Sequence, residues 1–380
     1  MLTVLAALSL LIWLYLYLFH GCFWHADQHL NLNQVNLSDA PGVVAVIPAR
    51  DEAESIKDTV RELLAQDYPG TLQIIVVDDN SIDGTKDAAL AAVTGDTEGA
   101  RVQVIDGAAL APGWVGKIWA VHQGIDAAGA STYLLLTDAD IIHDSGNVSR
   151  LVAKAEAEDL GLVSLMVKLN CRGLWERLLI PAFVYFFQKL YPFPKVNDPN
   201  TKIAAAAGGC MLVHRATLDA AGGIERIKDR VIDDCAMAHL IKPLRPIWLG
   251  LSTRTESLRG YQNLASIWRM VVRTAFVQLR FSRALLLGTV IGMLLLYGVP
   301  VLAVLVGALL GDMTLLSLGG SAWAVMAWTF LPTLGLYRLS ALWALTLPIA
   351  GVLYGMMTLD SARRHYFADG NAWKGRTYSS

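Results

Sequence analysis

The stretch YLLLTDADII, residues 133–142, is an apolar run that ends in two carboxylates, Asp138 and Asp140. Residues two apart in an extended segment point to the same side, so both carboxylates would face one ligand at the end of a strand. Oxygen ligands of this kind suit Mg²⁺ or Mn²⁺ with a phosphate attached. Aspartate is also common in turns that follow strands, so the pair alone leaves a structural role open.

Charged residues are unevenly distributed along the 380-residue chain, of which 17% is Asp, Glu, Lys or Arg. Residues 1–19 have no charged side chain, and residues 284–359 have only Asp312 and Arg338. This distribution predicts a central soluble domain attached to membrane segments. The formal net charge of -2 gives no support to nucleic-acid binding. Four scattered cysteines without a CxxC motif argue against a disulfide framework or a zinc site.

The apolar ends predict a membrane protein with several spans. Residues 1–19 form an N-terminal transmembrane anchor, retained because no small-residue cleavage site follows. The C-terminal membrane segments within 284–359 divide into three candidates, at 284–310, 315–337 and 339–359. Positive charge in residues 360–380 predicts a cytoplasmic tail. Three full spans would place that tail opposite the central domain, so we expect one of the last two segments to be interfacial or re-entrant. Pro332 and Gly335 favour residues 315–337 for this role.

The central part alternates strand and helix patterns. Strands are predicted by short runs of buried-type residues at Val43–Ile47, Leu72–Val77, Val102–Ile105 and Tyr133–Leu136. Helix-sized segments separate them, which predicts an α/β fold with a mostly parallel sheet. Ligands of such sheets bind beyond the carboxyl ends of the strands. The strands at Val43, Leu72 and Tyr133 end in acidic or polar clusters, so a functional site is expected at that edge.

One ligand or reaction should account for four clusters that contain acidic residues: Arg50-Asp51-Glu52, Asp78-Asp79, Asp138 with Asp140, and Asp233-Asp234. A nucleotide diphosphate explains most of them. Carboxylates accept hydrogen bonds from ribose hydroxyls or a base N–H, and a metal on the DAD motif would neutralise the phosphates. A further carboxylate would act as general base on an acceptor hydroxyl. No P-loop or GxGxxG motif is present, which disfavours a kinase or a dehydrogenase.

Two further segments each leave two interpretations open. Residues 173–193 are rich in aromatic side chains and contain Pro181, as expected of a core helix or of an interfacial helix beside a lipid entry. Residues 258–283 are basic and aromatic, as expected of a positive-inside juxtamembrane helix or of a phosphate-binding helix.

In this order, the motifs resemble those of the GT-A, family-2 glycosyltransferases over residues 43–283. They are IPARDE (47–52), VVDDNSIDGT (76–85), Gly116-Lys117, TDAD (137–140), AAGGC (206–210) and IDDCAMA (232–238). The resemblance implies a GT-A catalytic domain at 43–257, followed by a basic amphipathic or interfacial helix at 258–283.

The resemblance also implies roles for individual residues. Pro48 and Arg50 border the nucleotide pocket, Glu52 faces the ribose, Asp78 and Asp79 contact uracil or ribose, and Lys117 reaches the nucleotide. Asp138 and Asp140 form the metal-binding pair, Gly208 and Gly209 allow a close backbone approach, and Asp233-Asp234 supplies the base, which we assign to Asp234. A helix-capping role for Asp234 remains open.

Trp268, Arg269 and Arg273 are predicted to bind substrate, with the arginines near the leaving diphosphate. Here the chain reads Ser266-Ile267-Trp268-Arg269, whereas processive relatives have Q/R-x-x-R-W. The different order places in doubt an acceptor-stacking role for Trp268 and argues against polymer synthesis.

A narrower resemblance is to the hopanoid-biosynthesis-associated membrane glycosyltransferases of bacteria. It lies in PGWVGKIWA (112–120), LLIPAFVYFFQKLYPF (178–193), IWRMVVRTAF (267–276) and WKGRTY (373–378). It implies inverting transfer from a UDP-sugar to a membrane-lipid hydroxyl, with Mg²⁺ or Mn²⁺ as cofactor. The implied location is the bacterial inner membrane, with the catalytic domain in the cytoplasm. The alternative is a non-catalytic nucleotide-sugar-binding or scaffold subunit of a lipid-synthesis assembly.

Overall fold

The computed structural model describes residues 1–30, 37, 39–367, 371–373 and 376–378. The strands are β1 (Val43–Ala49), β2 (Leu72–Asp78), β3 (Val102–Asp106), β4 (Tyr133–Thr137), β5 (Ile141–Ile142), β6 (Leu162–Lys168), β7 (Cys210–His214), β8 (Ile247–Ser257), β9 (Asn371–Trp373) and β10 (Arg376–Tyr378). The α-helices are α1 (Leu2–Phe19), α2 (Ile56–Leu64), α3 (Thr85–Leu90), α4 (Asp96–Gly99), α5 (Gly116–Ala127), α6 (Asn147–Ala157), α7 (Leu174–Leu190), α8 (Phe193–Asn197), α9 (Arg215–Ala220), α10 (Asp233–Ile241), α11 (Leu264–Gln278), α12 (Arg283–Met293), α13 (Val299–Leu310), α14 (Met313–Leu336) and α15 (Leu347–Phe367).

Within the described residues, strands β1 to β8 form one sheet in the order β3-β2-β1-β4-β7-β6-β8-β5. The four strands predicted from the sequence form its parallel half, with Val46 of β1 opposite Ile75 of β2 and Leu136 of β4. Strand β7 is antiparallel to both β4 and β6, and β8 is parallel to β6. The predicted α/β class is therefore confirmed, with a mixed sheet whose parallel half carries the acidic strand ends.

Both faces of the sheet are covered, which explains why β1 is buried along its whole length. Alternate residues enter two cores: Val46 faces α5, and Ile47 faces the side of α2 and α6. Gly124 lets α5 lie close to the sheet, because a Cβ there would be 2.3 Å from a Val46 methyl group. A buried parallel strand of this kind has no polar face, so its polar residues concentrate at its end.

Four helical segments are long and apolar enough to cross a membrane: Leu2–Phe19, Arg283–Leu310, Met313–Leu336 and Ala341–Phe367. The second combines α12 and α13 through a π-helical turn at Leu294–Gly298. Helix α14 runs unbroken through Pro332, so the interruption expected there is absent. Helix α15 continues to Phe367, eight residues beyond the predicted segment, because its polar residues pack on α11. Ser361 Oγ donates to Val272 O at 2.5 Å and accepts from Phe276 N at 3.0 Å.

Helix α7 lies between the sheet domain and the apolar helices. Val184 and Phe187 face the core under the sheet, whereas Leu179 and Tyr185 pack with the apolar helices. The Tyr185 hydroxyl is 2.7 Å from Thr329 Oγ1 of α14. Pro181 does not interrupt the helix. Residues 174–190 therefore form a largely buried helix between the sheet domain and the apolar helices, a position that is compatible with both interpretations of this segment.

Candidate active site

The turn Asp138-Ala139-Asp140 is held in place by hydrogen bonds that its backbone carbonyl groups accept. Thr59 Oγ1 donates to Ala139 O at 2.9 Å, and the Leu258 amide donates to Asp140 O at 2.8 Å. These contacts come from α2 and from the chain after β8, on two sides of the turn. The carboxylates of Asp138 and Asp140 are therefore placed before any ligand binds.

Lys117, at the start of α5, joins two of the acidic clusters. Its Nζ is 2.8 Å from Asp138 Oδ1 and 3.2 Å from Asp233 Oδ2. Burial opposes the lysine charge, but the carboxylates of Asp138 and Asp233 outweigh it and raise the Lys117 pKa above its ordinary value. Lysine therefore stays charged at neutral pH. The structure brings five of the predicted residues to one pocket: Pro48, Lys117, Asp138, Gly208 and Asp233.

Asp234 lies in the first turn of α10 and accepts two backbone hydrogen bonds. Its Oδ2 accepts from Gly208 N at 3.0 Å and its Oδ1 accepts from Cys235 N at 2.7 Å. Burial, and then the charge of Asp233, raise the Asp234 pKa to about 6, although Lys117 and the amides oppose the rise. The hydrogen bond from the Cys235 amide lies at the N-terminus of α10, as a helix-capping role for Asp234 requires. A carboxylate with a pKa of about 6 also suits a general base at neutral pH.

The glycine pair provides space beside these charges. A Cβ on Gly208 would be 3.3 Å from Lys117 Nζ and 3.5 Å from Asp234 Oδ2, so a side chain there would crowd both groups. A Cβ on Gly209 would be 3.0 Å from a Val167 methyl group. The small residues therefore let the Gly208 amide reach Asp234, and the close backbone approach to a ligand stays a prediction.

Arg259, in the loop after β8, was not among the predicted site residues. Its Nε donates to Asp140 Oδ2 at 2.9 Å and its Nη2 donates to Glu52 Oε1 at 2.6 Å. Ser257 Oγ donates to the same Asp140 oxygen at 3.1 Å. Burial and the charge of Asp138 raise the Asp140 pKa, and Arg259 opposes that rise. Arg259 thus forms ion pairs both with Asp140, the predicted metal ligand, and with Glu52, the residue predicted to face the ribose.

The ends of β1 and β2 meet at the other side of the site. Arg50 Nη1 donates to Asp79 O at 2.7 Å and lies 3.8 Å from Asp79 Oδ2. Asp78 is buried, and its Oδ1 has no hydrogen-bond donor within the part of the chain that the structure describes. A buried carboxylate oxygen without a donor is unusual in folded proteins and indicates a place for a ligand donor.

The structure groups Trp268, Arg269 and Arg273 with α15 and the protein surface rather than with the acids. Trp268 Nε1 donates to Asp360 Oδ2 at 2.9 Å, and its ring packs among the apolar helices. Arg269 and Arg273 are exposed on α11. The basic helical pattern and the family resemblance predicted these residues at the substrate, whereas Trp268 pairs with Asp360 and the two arginines lie exposed on α11.

A polar junction at the ends of α7 and α11 adjoins Asp234 and was also missed. Gln278 Nε2 donates to the Tyr191 hydroxyl at 2.5 Å, and Tyr191 lies close enough to Cys235 for each side chain to shift the pKa of the other. Burial is the main cause that raises the Tyr191 pKa, and the charge of Asp234 adds to it. Nothing in the local sequence marks Tyr191 or Gln278, because their meeting depends on the packing of two distant helices.

The donor set fits a divalent cation only if a ligand contributes oxygens. Asp138 and Asp140 offer hard carboxylate oxygens, and each already contacts a cationic side chain. Across the described residues, no three His, Cys, Asp or Glu side chains are grouped so that they could hold a metal ion. Phosphate oxygens or water would have to complete the coordination shell, as is usual for Mg²⁺.

Comparison with known proteins supports the family and the fold. Residues 44–222 match the model of glycosyl transferase family 2. The mannosyltransferase PcManGT from Pyrobaculum calidifontis, solved with GDP-Man and Mn²⁺, is 17% identical and has a TM-score of 0.58, covering 97% of this chain and 99% of its own. Glucosyl-3-phosphoglycerate synthase from Mycobacterium tuberculosis, solved with Mn²⁺, UDP-glucose and glycerol 3-phosphate, is 17% identical with a TM-score of 0.42, covering 67% and 87%. No curated protein matches the chain.

These findings define the fold. The sheet domain has the GT-A type of fold, and the likeness to PcManGT extends over the apolar helices as well. The match to glycosyl transferase family 2 spans residues 44–222, slightly less than half of the chain.

Proposed function

We propose that the protein is an inverting, metal-dependent transferase. It moves a hexosyl or N-acetylhexosaminyl group from a UDP-sugar to the hydroxyl of a membrane lipid related to hopanoids. The observation that carries this proposal is the position of Asp234. This carboxylate has a pKa of about 6, follows Asp233 of the acidic pocket in the first turn of α10, and its charge acts on Tyr191 at the junction of α7 with α11.

The nucleotide part of the donor is assigned to the ends of β1 and β2. One oxygen of the buried Asp78 carboxylate accepts no hydrogen bond from the described residues. A base N–H or a ribose hydroxyl of the nucleotide would donate this hydrogen bond. Arg50 fixes Asp79 beside it. Pro48 lines the same pocket as Lys117, whose charge faces the diphosphate.

Asp138 and Asp140 would hold Mg²⁺ or Mn²⁺. When bound, the cation supplies charge neutralisation for the diphosphate as it leaves. The structure of PcManGT, which has this type of fold, contains Mn²⁺ together with GDP-Man, which supports the assignment. Lys117 contributes a second positive charge from the protein itself.

Asp234 accepts the proton of the acceptor hydroxyl. The acceptor oxygen forms a bond to the anomeric carbon, and the bond from that carbon to the diphosphate oxygen breaks on the opposite face. The electron pair leaves with UDP, and the sugar configuration inverts. The amides of Gly208 and Cys235 hold both carboxylate oxygens in place during this transfer.

A membrane lipid suits the acceptor side because the base adjoins the apolar helices. Tyr191 and Gln278 lie at the ends of α7, which packs against both the sheet domain and the apolar helices, and of α11, which packs among the apolar helices. An amphiphilic acceptor would place its hydroxyl at this polar junction and its hydrocarbon part along the apolar surface.

We predict that Tyr191→Phe raises the KM for the lipid acceptor about tenfold, because one charge-neutral hydrogen bond is lost near the base. The KM for the nucleotide sugar and its slow hydrolysis should stay unchanged. Steady-state kinetics with the two substrates varied separately measures this. Tyr15→Phe, on an exposed aromatic of α1, is the control. An unchanged acceptor KM would remove Tyr191 from the acceptor site.

The proposed layout is an anchor at 1–19, a catalytic domain at 43–257, a basic interfacial helix at 258–283, membrane segments at 284–359 and a tail at 360–380. It places the protein in the bacterial inner membrane with the catalytic domain in the cytoplasm. We assign α15 as the interfacial segment in place of 315–337, because half of its most apolar window is buried, against 33% in α14. Its pairing with Trp268 of α11 supports this position.

This arrangement predicts a cytoplasmic C-terminus, because α1, the α12–α13 unit and α14 would be the three spans. A green fluorescent protein fused after Ser380 should fluoresce, whereas an alkaline phosphatase fused there should be inactive. A phosphatase fused after Gly311 should be active and serves as the control. Active phosphatase at the C-terminus would show that α15 crosses the membrane.

The test of the function is incubation of the purified full chain with a panel of nucleotide sugars and bacterial membrane lipids. Mass spectrometry of the lipid fraction should show one added sugar on a lipid with a free hydroxyl. Donor hydrolysis with and without Mn²⁺ discriminates the alternative: a non-catalytic subunit would bind donor and neither transfer nor hydrolyse it.

A further inference from the structure

Arg259 bridges two acids that the proposed donor site needs for other purposes. Asp140 Oδ2, the oxygen expected to bind a metal, accepts from Arg259 Nε at 2.9 Å and from Ser257 Oγ at 3.1 Å. Glu52 Oε1 accepts from the other arm of the same guanidinium at 2.6 Å. A guanidinium with two charge-assisted bonds is a strong substitute for a metal cation between two carboxylates.

The backbone around Arg259 is fixed, whereas its side chain is accessible. The Leu258 amide donates to Asp140 O at 2.8 Å, and the Tyr261 amide donates to Glu176 Oε1 at 2.6 Å. Glu176 also accepts the amides of Arg172 and Gly173, each at 2.8 Å, so this end of the loop is tied to α7.

Exposure shows which partner of the ion pair can move. The Arg259 side chain is 45% exposed, whereas Asp140 is 10% and Glu52 is 15% exposed. The two acids lie in the site, on the turn after β4 and on the segment after β1. The guanidinium can therefore swing into solvent or toward a ligand by side-chain rotation alone, while both carboxylates stay in place.

We propose that Arg259 occupies the cation position at Asp140 in the ligand-free protein and competes there with the divalent metal ion. Binding of the metal displaces the guanidinium and thereby releases Glu52 for the donor. The inference rests on the proposed function, because it takes Asp140 as a metal ligand. It goes beyond that function by assigning Arg259 a role in metal affinity.

The competition has a direct consequence for binding of metal alone. Loss of the guanidinium removes both a competing donor and a repelling positive charge next to the divalent ion. Arg259→Gln should therefore bind Mn²⁺ about tenfold more tightly than the natural chain, in the absence of nucleotide. Arg259→Lys should lie between them, because an ammonium cannot bridge two carboxylates in the same fork geometry.

Electron paramagnetic resonance of free Mn²⁺ during titration of the purified full chain measures this affinity without any turnover. Arg254→Gln is the matched control, since it removes the same charge from an exposed position on β8, and its affinity should equal that of the natural chain. The double variant Asp140→Asn with Arg259→Gln should lose the gain, which places the tighter site at Asp140.

An Mn²⁺ affinity of Arg259→Gln that is equal to or below that of the natural chain would overturn the proposal. So would a gain that survives in the Asp140→Asn double variant. These outcomes are separate from a failure of the proposed function, which would appear as no glycosylated lipid from the natural chain, whatever its affinity for Mn²⁺.

Discussion

An Asp234→Asn protein is expected to bind nucleotide sugar with nearly normal affinity but to transfer the sugar about 10²–10⁴-fold more slowly. The amide has no basic oxygen that can take the acceptor proton. Asp234 is assigned to the acceptor, whereas Lys117 contacts Asp138 and Asp233, so the donor contacts should remain. Donor titration and initial rates of lipid glycosylation measure the two effects separately.

The control for Asp234→Asn must separate catalysis from folding. Both Asp234 oxygens accept backbone amides, and an asparagine offers only one acceptor oxygen. The thermal unfolding midpoint of the variant should therefore be measured together with its kinetics. Asp233→Asn is the matched variant on the same helix turn, and we expect it to weaken donor binding through Lys117 while keeping the base. Turnover within a few-fold of the natural rate in a folded Asp234→Asn protein would exclude Asp234 as the base.

The same assignment predicts the pH dependence. The base works only when deprotonated, so kcat/KM should fall as pH decreases through about 6, the Asp234 pKa. The groups that set this value are Asp233, which raises it, and Lys117 with the Gly208 and Cys235 amides, which lower it. In the Asp234→Asn protein, the residual kcat/KM should no longer show this fall at low pH, the acid limb of the profile. A limb that persists in the variant would belong to another group.

Strand ends were predictable from the sequence because the rule that governs them is local. A buried parallel strand has a continuous apolar run, and its first polar residues mark the sheet edge. The four predicted strands form the parallel half of the sheet, and Lys117, Asp138 and Asp233 meet in one pocket there. The distribution of charge likewise predicted the apolar helices, and the largest shift of an end, from 359 to 367 in α15, occurs where Ser361 finds partners on α11.

Sequence patterns could not predict contacts between segments that are far apart in the chain. Arg259 meets Asp140 across 119 residues and Glu52 across 207, and the pattern grouped it with the arginines of α11 instead. Trp268 was placed at the substrate for the same reason, although its indole pairs with Asp360 across 92 residues. A periodic basic pattern shows which residues share a helix face, but the packing of other helices decides what that face contacts.

The second large effect is expected from Lys117→Met, because Lys117 forms ion pairs both with Asp138, of the proposed metal-binding pair, and with Asp233 of α10. Methionine keeps the length of the side chain and removes its charge. A hydrogen bond to a charged group contributes about 1.5–3 kcal/mol, so donor affinity should fall by about 10-fold to 100-fold.

Lys117→Met should also move the acid limb of kcat/KM to higher pH. Lys117 lowers the Asp234 pKa, so without its charge the carboxylate holds its proton above a pH of about 6. Lys154→Met is the matched control: Lys154 pairs with Glu158 at the exposed end of α6, and neither affinity nor pH profile should change. Nucleotide titration and pH–rate profiles measure both effects. An acid limb at its original pH, with weaker donor binding, would mean that Lys117 serves the diphosphate without acting on the base.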